Sequence, residues 1–278
     1  MISNLLRFIR FSHTIFALPF AVGAMVVAAD GLPSVRVIFL ILLAMVFART
    51  AAMTFNRIAD WEIDKRNPRT EGRHRLVSKG AAIATCAGSS LAFLLVTAFL
   101  NPLCFALSPV ALAVALGYSY AKRFTHFAQF MLGLALAVAP VGAWLAVTGA
   151  FALAPLILAA AVCAWTAGFD TIYATQDYEV DRREGLRSMV TLLGIPGALR
   201  LAVVLHLVAW AGLVAFGFAA HLGGIYFVAA GLILLPLAYE HILARKGSVE
   251  AINQAFFQAN AIVGALFVLG TLADRLVS

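Results

Sequence analysis

The chain has 278 residues, 63% of them hydrophobic and only 12% charged, with a mean hydropathy of +0.96. Apolar runs at that density exclude an ordinary soluble domain and place the chain among all-α, polytopic membrane proteins. The formal net charge of +7 is explained by basic residues gathered on cytoplasmic loops, so nucleic acid is not an expected partner.

About 20 apolar residues cross a bilayer. With Gly, Pro and charge clusters as punctuation, nine transmembrane helices are expected, at approximately 12–29, 35–57, 80–100, 103–121, 126–148, 152–176, 197–219, 222–243 and 252–273. The basic segment Met1 to Arg10 runs into the first apolar stretch with no small-residue cleavage site, and is read as part of a retained first helix. Cys86, Cys104 and Cys163 stand singly in apolar segments, where Cys is a small hydrophobe; no CxxC spacing or disulfide framework is present.

Arg7 and Arg10 precede the first span, and Lys65, Arg66, Arg69, Arg73, Arg75 and Lys79 follow the second. Lys122 and Arg123 follow the fourth, Arg182, Arg183 and Arg187 the sixth, and Arg245 and Lys246 the eighth. The other side has Arg36 beside Asp30 and Arg275 beside Asp274. Even-numbered helices are thus expected to end on the cytoplasmic side of a bacterial inner membrane, with the N-terminus inside and the C-terminus outside.

The second span ends in Asn56-x3-Asp60-x3-Asp64, three polar residues that share one face of a helix. The sixth ends in Asp177-x3-Asp181. Each motif has basic residues behind it, and four helices separate the two. A four-helix unit used twice is therefore suggested, with both acidic ends at one central cavity. Carboxylates one helical turn apart, about 6 Å along the axis, suit Mg²⁺, which takes one or two carboxylates and fills its shell with water and phosphate oxygens. Without His or Cys they suit zinc poorly. The competing reading has these acids merely neutralising the adjacent arginines, and it fits one pair better than two on the same side.

A diphosphate needs positive charge as it departs, and Lys122 and Arg123 at the end of the fourth helix are candidates. Tyr118 lies on the same face as Lys122, although Tyr and Lys also anchor membrane interfaces. Arg49, two turns before Asn56 among apolar residues, must face the protein interior or a wet cavity. Asp170, two turns before Asp177, is its partner or a ligand-facing group. His206 is read as a hydrogen-bonded helix-packing residue, Arg200 as an interface anchor, and the 21 Phe residues as lipid-facing or packing. A secondary transporter of an anionic metabolite is the alternative from another class. Transporters place their binding groups near the midplane, whereas these acids gather at inner helix ends.

These residues resemble the UbiA superfamily of intramembrane aromatic prenyltransferases. Asn56-x3-Asp60-x3-Asp64 is similar to its first aspartate-rich motif, Tyr173-Ala-x-x-Asp177-x3-Asp181 to its second, and Tyr118-x3-Lys122 to its Tyr/Lys motif, with Gln176 preceding Asp177. Arg49-Thr-Ala-Ala-Met-x-Phe-Asn-Arg57, Asn67-Pro-Arg-Thr70 and Gly168-Phe-Asp170 also resemble it. The family's Arg-x-Leu-Pro-x-Gly loop reads Arg75-Leu-Val-Ser-Lys-Gly80 here, without its Pro. The resemblance covers essentially the whole chain as a single transmembrane prenyltransferase domain.

It implies a helical bundle open sideways to lipid, and Mg²⁺-dependent transfer of a prenyl group from a polyprenyl diphosphate to an aromatic acceptor. Asn56, Asp60, Asp64, Asp177 and Asp181 would hold Mg²⁺, and Arg57, Lys122 and Arg123 would offset the diphosphate charge. Tyr173 would contact substrate. Asp177 or Asp170 would accept a proton, and Arg49 or His13 would orient the acceptor's carboxylate. The wording is most similar to the group acting on 4-hydroxybenzoate in ubiquinone synthesis. It also resembles relatives that prenylate a dihydroxynaphthoate in a menaquinone route.

Overall fold

The computed structural model describes residues 16–66 and 75–277, together with Leu5, Phe8, Thr70 and Gly72. Among the described residues every regular element is helical. Eight helices are long and apolar enough to cross a membrane, which makes the chain an integral membrane protein. In place of the ninth expected span stands α1 (Leu18–Ala28), a shorter apolar helix; the residues before it in the expected 12–29 segment lie largely outside the described set.

The residues fall into two compact units, one of Met1–Thr14 with Val35–Tyr120 and one of Ile15–Ser34 with Ala121–Ser278. The division between Tyr120 and Ala121 falls at the end of the fourth expected helix, whereas Ile15–Ser34, which holds most of the first expected helix, belongs to the second unit. In the first unit, α2 (Val35–Ala59) leads through a turn at Asp60 into α3 (Trp61–Arg66), followed by α4 (Lys79–Ala98) and α5 (Pro102–Gly117). Helices α2, α4 and α5 pack on one another. Ala44, Phe93 and Val96 form one core cluster. Phe8 and Ala82 form another, with Met53, Ile58 and Trp61 packed against it.

Tyr118–Tyr120 tightens into a 3-10 turn before α6 (Ala121–Phe124), which opens the second sequence stretch of the second unit. There follow α7 (Ala128–Thr148), α8 (Leu153–Ala174), a 3-10 turn over Thr175–Asp177, α9 (Tyr178–Arg183) and α10 (Met189–Ala219). Then come α11 (Gly224–Leu232), α12 (Leu234–Ala244), α13 (Val249–Gln254), a π-helical turn over Ala255–Ala259 and α14 (Asn260–Val277). Within this unit α1 packs on α7 and α14, α7 on α8, α8 on α10, α10 on α11, and α11 on α14. Helix α8 is the most buried of the candidate spans, and it carries Asp170 and leads into Asp177.

The helix ends have local causes. Ser78 and Asn101 accept the amides of Ala81 and Cys104 from N-cap positions. Ser188 and Thr191 form a reciprocal capping box, so α10 starts at Met189 and not at 197. Gly194 then breaks the helix path with φ 68°, a left-handed conformation that glycine adopts without Cβ strain, two residues before Pro196. At the end expected outside, Arg275 pairs with Asp30 at 3.0 Å. Asp274 instead accepts the amides of Gly223 (2.7 Å) and Tyr226 (3.2 Å) and so caps α11, while Arg36 donates to the carbonyl of Phe99.

Candidate active site

The first acidic motif does not lie on one unbroken helix. Helix α2 stops at Ala59, and Asp60 forms the turn into α3. The i to i+4 backbone spacing nevertheless survives, because the Asp60 amide donates to Asn56 O (3.0 Å) and that of Asp64 to Asp60 O (2.7 Å). The three side chains therefore remain successive neighbours along one strip. Asn56 Nδ2 lies 3.4 Å from Asp60 Oδ2. Asp64 is buried and faces Arg57, also buried, at 3.7 Å. The hydroxyl of Thr70 donates to the Asp64 carbonyl (3.1 Å) in α3.

Two further predicted residues join this group. Arg49 lies within electrostatic range of Tyr118 and Arg57, and its buried Nε has no hydrogen-bond partner among the described residues. An arginine with unused donors there is available to an anionic group. The Tyr118 hydroxyl sits 3.8 Å from Met53 Sδ, and Tyr120, two residues on, packs edge-on against Phe55.

The second motif is assembled in the other unit. Asp177 ends the 3-10 turn and Asp181 lies in α9, and both are buried. Asp181 holds Lys122 Nζ at 3.1 Å, and Asp177 and Asp170 act on the same ammonium at longer range. Lys122 thus meets the carboxylates that the sequence assigns to the second motif, from 59 residues away. Arg123 is exposed beside it. The ring of Tyr173 packs on Phe256 at 4.4 Å between centroids.

The segments carrying Lys122 and Asp181 are tied together. Arg187 donates its amide to Lys122 O (2.7 Å) and its guanidinium to Phe124 O (2.9 Å). Gln129 Oε1 accepts the Met189 amide at 3.1 Å, and His126 Nδ1 lies 3.3 Å from Ser188 O.

Each acidic set thus has a buried carboxylate beside a cation, Asp64 beside Arg57 and Asp181 beside Lys122. Lys65 is occupied with Glu62 at 3.1 Å. Among the described residues no three His, Cys, Asp or Glu side chains gather into a metal cage. The oxygen pairs present fit a hard cation that draws its remaining ligands from water and phosphate. His13, Asn67, Pro68 and Arg69 lie outside the described residues.

Sequence reasoning missed the aromatic and polar surroundings of the second set. Phe256, in the π-helical turn, packs on Phe16, Phe169 and Tyr173. Behind it a polar group joins the buried Glu240, Asn260 and His206 with the half-buried His241. His206 is hydrogen-bonded as expected, with Nδ1 3.0 Å from His241 Nε2. A signal was available for Glu240: an acid inside an apolar span is costly and needs a reason.

The UbiA prenyltransferase family profile matches residues 17–262. A 4-hydroxybenzoate octaprenyltransferase from Alkalilimnicola ehrlichii is 34% identical over 253 residues, covering 89% of this chain and 85% of that protein. One of the same name from Marinobacter nauticus is 31% identical, covering 98% and 93%. A UbiA homolog from Aeropyrum pernix, solved in its apo form, is 34% identical and superposes with a TM-score of 0.86 over 94% of this chain and 98% of that one. A UbiA homolog from Archaeoglobus fulgidus, solved with GPP and Mg²⁺, is 23% identical and shares the fold with a TM-score of 0.76, covering 98% and 99%. With a family match over nearly the whole length, and with both acidic motifs and their basic partners in place, the chain belongs to the UbiA prenyltransferase family.

Proposed function

We propose that the whole chain works as one intramembrane domain that transfers a polyprenyl group from polyprenyl diphosphate to a small hydroxy-aromatic carboxylate, 4-hydroxybenzoate, in ubiquinone synthesis. The observation that carries this reading is that each acidic set has a buried carboxylate beside a cation, Asp64 beside Arg57 and Asp181 beside Lys122. A site that holds both a metal ion and its phosphate needs both signs of charge at close range. The names of the bacterial relatives support the acceptor.

The donor set fits a divalent ion, because it is all oxygen and the carboxylates of Asp64, Asp177 and Asp181 are buried. Asn56, Asp60, Asp64, Asp177 and Asp181 are assigned to Mg²⁺. When bound, Mg²⁺ neutralises diphosphate charge and makes the diphosphate a better leaving group.

Arg57, Lys122 and Arg123 supply further positive charge to that leaving group. The bond between prenyl C1 and the diphosphate oxygen breaks, and its electron pair leaves with the diphosphate. The ring carbon ortho to the phenol hydroxyl then bonds to the allylic cation and loses its proton to a carboxylate, Asp177 or Asp170. Apolar surroundings protect the cation from water. Tyr118 and Tyr173 contact substrate, and Arg49, with its unused buried donor, orients the acceptor's carboxylate; His13 is assigned the same task. The active site faces the cytoplasm of a bacterial cell from its inner membrane, with the N-terminus inside and the C-terminus outside.

The test is a membrane assay with labelled polyprenyl diphosphate and Mg²⁺, offering 4-hydroxybenzoate and dihydroxynaphthoates separately. Label on 4-hydroxybenzoate supports the proposal. Label on a naphthoate alone overturns the acceptor but keeps the chemistry, and no transfer to either overturns the proposal.

A further inference from the structure

Glu240 and Asn260 are completely buried in the last two spans, where an uncompensated polar group is expensive. No step of the proposed reaction uses them. Asn260 follows directly on the π-helical turn Ala255–Ala259. Its backbone amide donates to Phe257 O, and its side-chain amide donates both to Phe256 O (2.8 Å) and to Glu240 Oε1 (3.2 Å). Both side-chain N–H bonds are thus spent, one on the π turn and one on the neighbouring helix α12.

The other side of Glu240 reaches α10, with Oε2 3.9 Å from His206 Nδ1. His206 in turn is braced by His241 at 3.0 Å and lies against Gly168 of α8. A Cβ at position 168 would come 2.5 Å from His206 Nε2, so helix and imidazole are in close contact there.

A π turn adds a residue to the helix and turns the side chains that follow; such turns gather at functional sites. Here the turn sets Phe256 against Tyr173 (4.4 Å), Phe169 (5.4 Å) and Phe16 (5.1 Å). Phe169 and Tyr173 bracket Asp170, and Tyr173 lies one turn before Asp177. The polar group therefore reaches the acidic motif twice, through His206 behind α8 and through Phe256 at its side.

We propose that Glu240 and Asn260 are positioning residues: they lock the π turn so that Phe256 clamps Tyr173 and holds the Asp170 to Asp181 segment in its working register. The clamp rests on the prenyl-transfer reading for its purpose, and on geometry alone for its existence.

The experiment compares Asn260→Leu, Phe256→Leu and the double variant in the full-length protein, purified in detergent and normalised to folded enzyme. Asn260→Leu lowers kcat/KM per folded molecule by about ten- to a hundredfold, the scale of a small displacement of reacting groups. Because the two residues act along one path, the double variant is little worse than the poorer single one. Glu240→Gln, which keeps an acceptor for Asn260, recovers most of the activity lost in Glu240→Leu. Hydrogen exchange over residues 173–181 quickens in Asn260→Leu.

Unchanged kcat/KM per folded molecule, or losses that multiply in the double variant, would overturn the proposal. So would unchanged exchange over 173–181, and that readout needs no substrate. Quickened exchange in a protein that transfers no prenyl group keeps the clamp and removes the reaction it was assigned to serve.

Discussion

Replacing Lys122 by Met separates the structural and chemical roles of the Lys122–Asp181 pair. At 3.1 Å, two unit charges attract by about 5 kcal/mol at an effective dielectric of about 20, and by about 1.3 kcal/mol in bulk water. The Asp181 side chain is 5% exposed but that of Lys122 is 35% exposed, so screening and side-chain ordering reduce the net value to about 1–3 kcal/mol. Lys122→Met and Asp181→Asn each lower unfolding stability by about that amount, because each removes the 3.1 Å contact while the other member of the pair stays in place. The double variant removes both members of the pair and is more stable than the sum of the two losses predicts, by about 1–3 kcal/mol. Activity behaves differently: under the proposed mechanism, loss of the cation assigned to the leaving diphosphate costs about 10²- to 10³-fold in kcat, and the double variant does not regain it. Denaturant unfolding in detergent and the labelled-diphosphate assay read the two effects separately. Strictly additive stability losses would refute the pairing, and wild-type kcat in Lys122→Met would refute the chemical role.

Gly168→Ala places a methyl against a buried, hydrogen-bonded imidazole and lowers stability by about 1–3 kcal/mol. The same substitution made in a His206→Ala background costs less, measured by thermal unfolding. Arg49→Lys keeps the charge and loses the planar fork; the KM of the aromatic carboxylate rises about tenfold, while that of the diphosphate changes little. EDTA abolishes transfer and added Mg²⁺ restores it, and Mg²⁺ with diphosphate raises the unfolding temperature of the protein because ligands bind only the folded form. A reporter fused after Ser278 reports from the outer side of the membrane; a cytoplasmic signal would reverse the predicted orientation.

The spans were legible because burial in lipid demands long apolar runs, and the acids stood out against them. The sequence also marked Lys122 and Asp181 as members of one site, though their contact across 59 residues depends on tertiary structure. The break at Asp60 was hidden because i to i+4 spacing looks the same on a straight helix and across a turn that keeps its hydrogen bonds. Helix α10 was expected to start at 197 because Gly194 and Pro196 read as a stop, whereas the capping box at Ser188 starts it earlier and the glycine absorbs the bend. The π turn and the Glu240–Asn260 contact had no such local signature. They arise where α12 meets the last span, and no window along either helix contains both partners.

The bonds that Arg187, Gln129 and His126 make between the Lys122 segment and the Asp181 segment bear on the rate of substrate capture. These two stretches become ordered when the protein folds, so neither has to search for its place when a diphosphate arrives. Capture should then show no lag from loop closure at this half of the site. Loosening the ties, as in Arg187→Ala combined with Gln129→Ala, which removes the bonds to Phe124 O and the Met189 amide, would slow association and leave the intrinsic chemistry of a bound substrate nearly untouched.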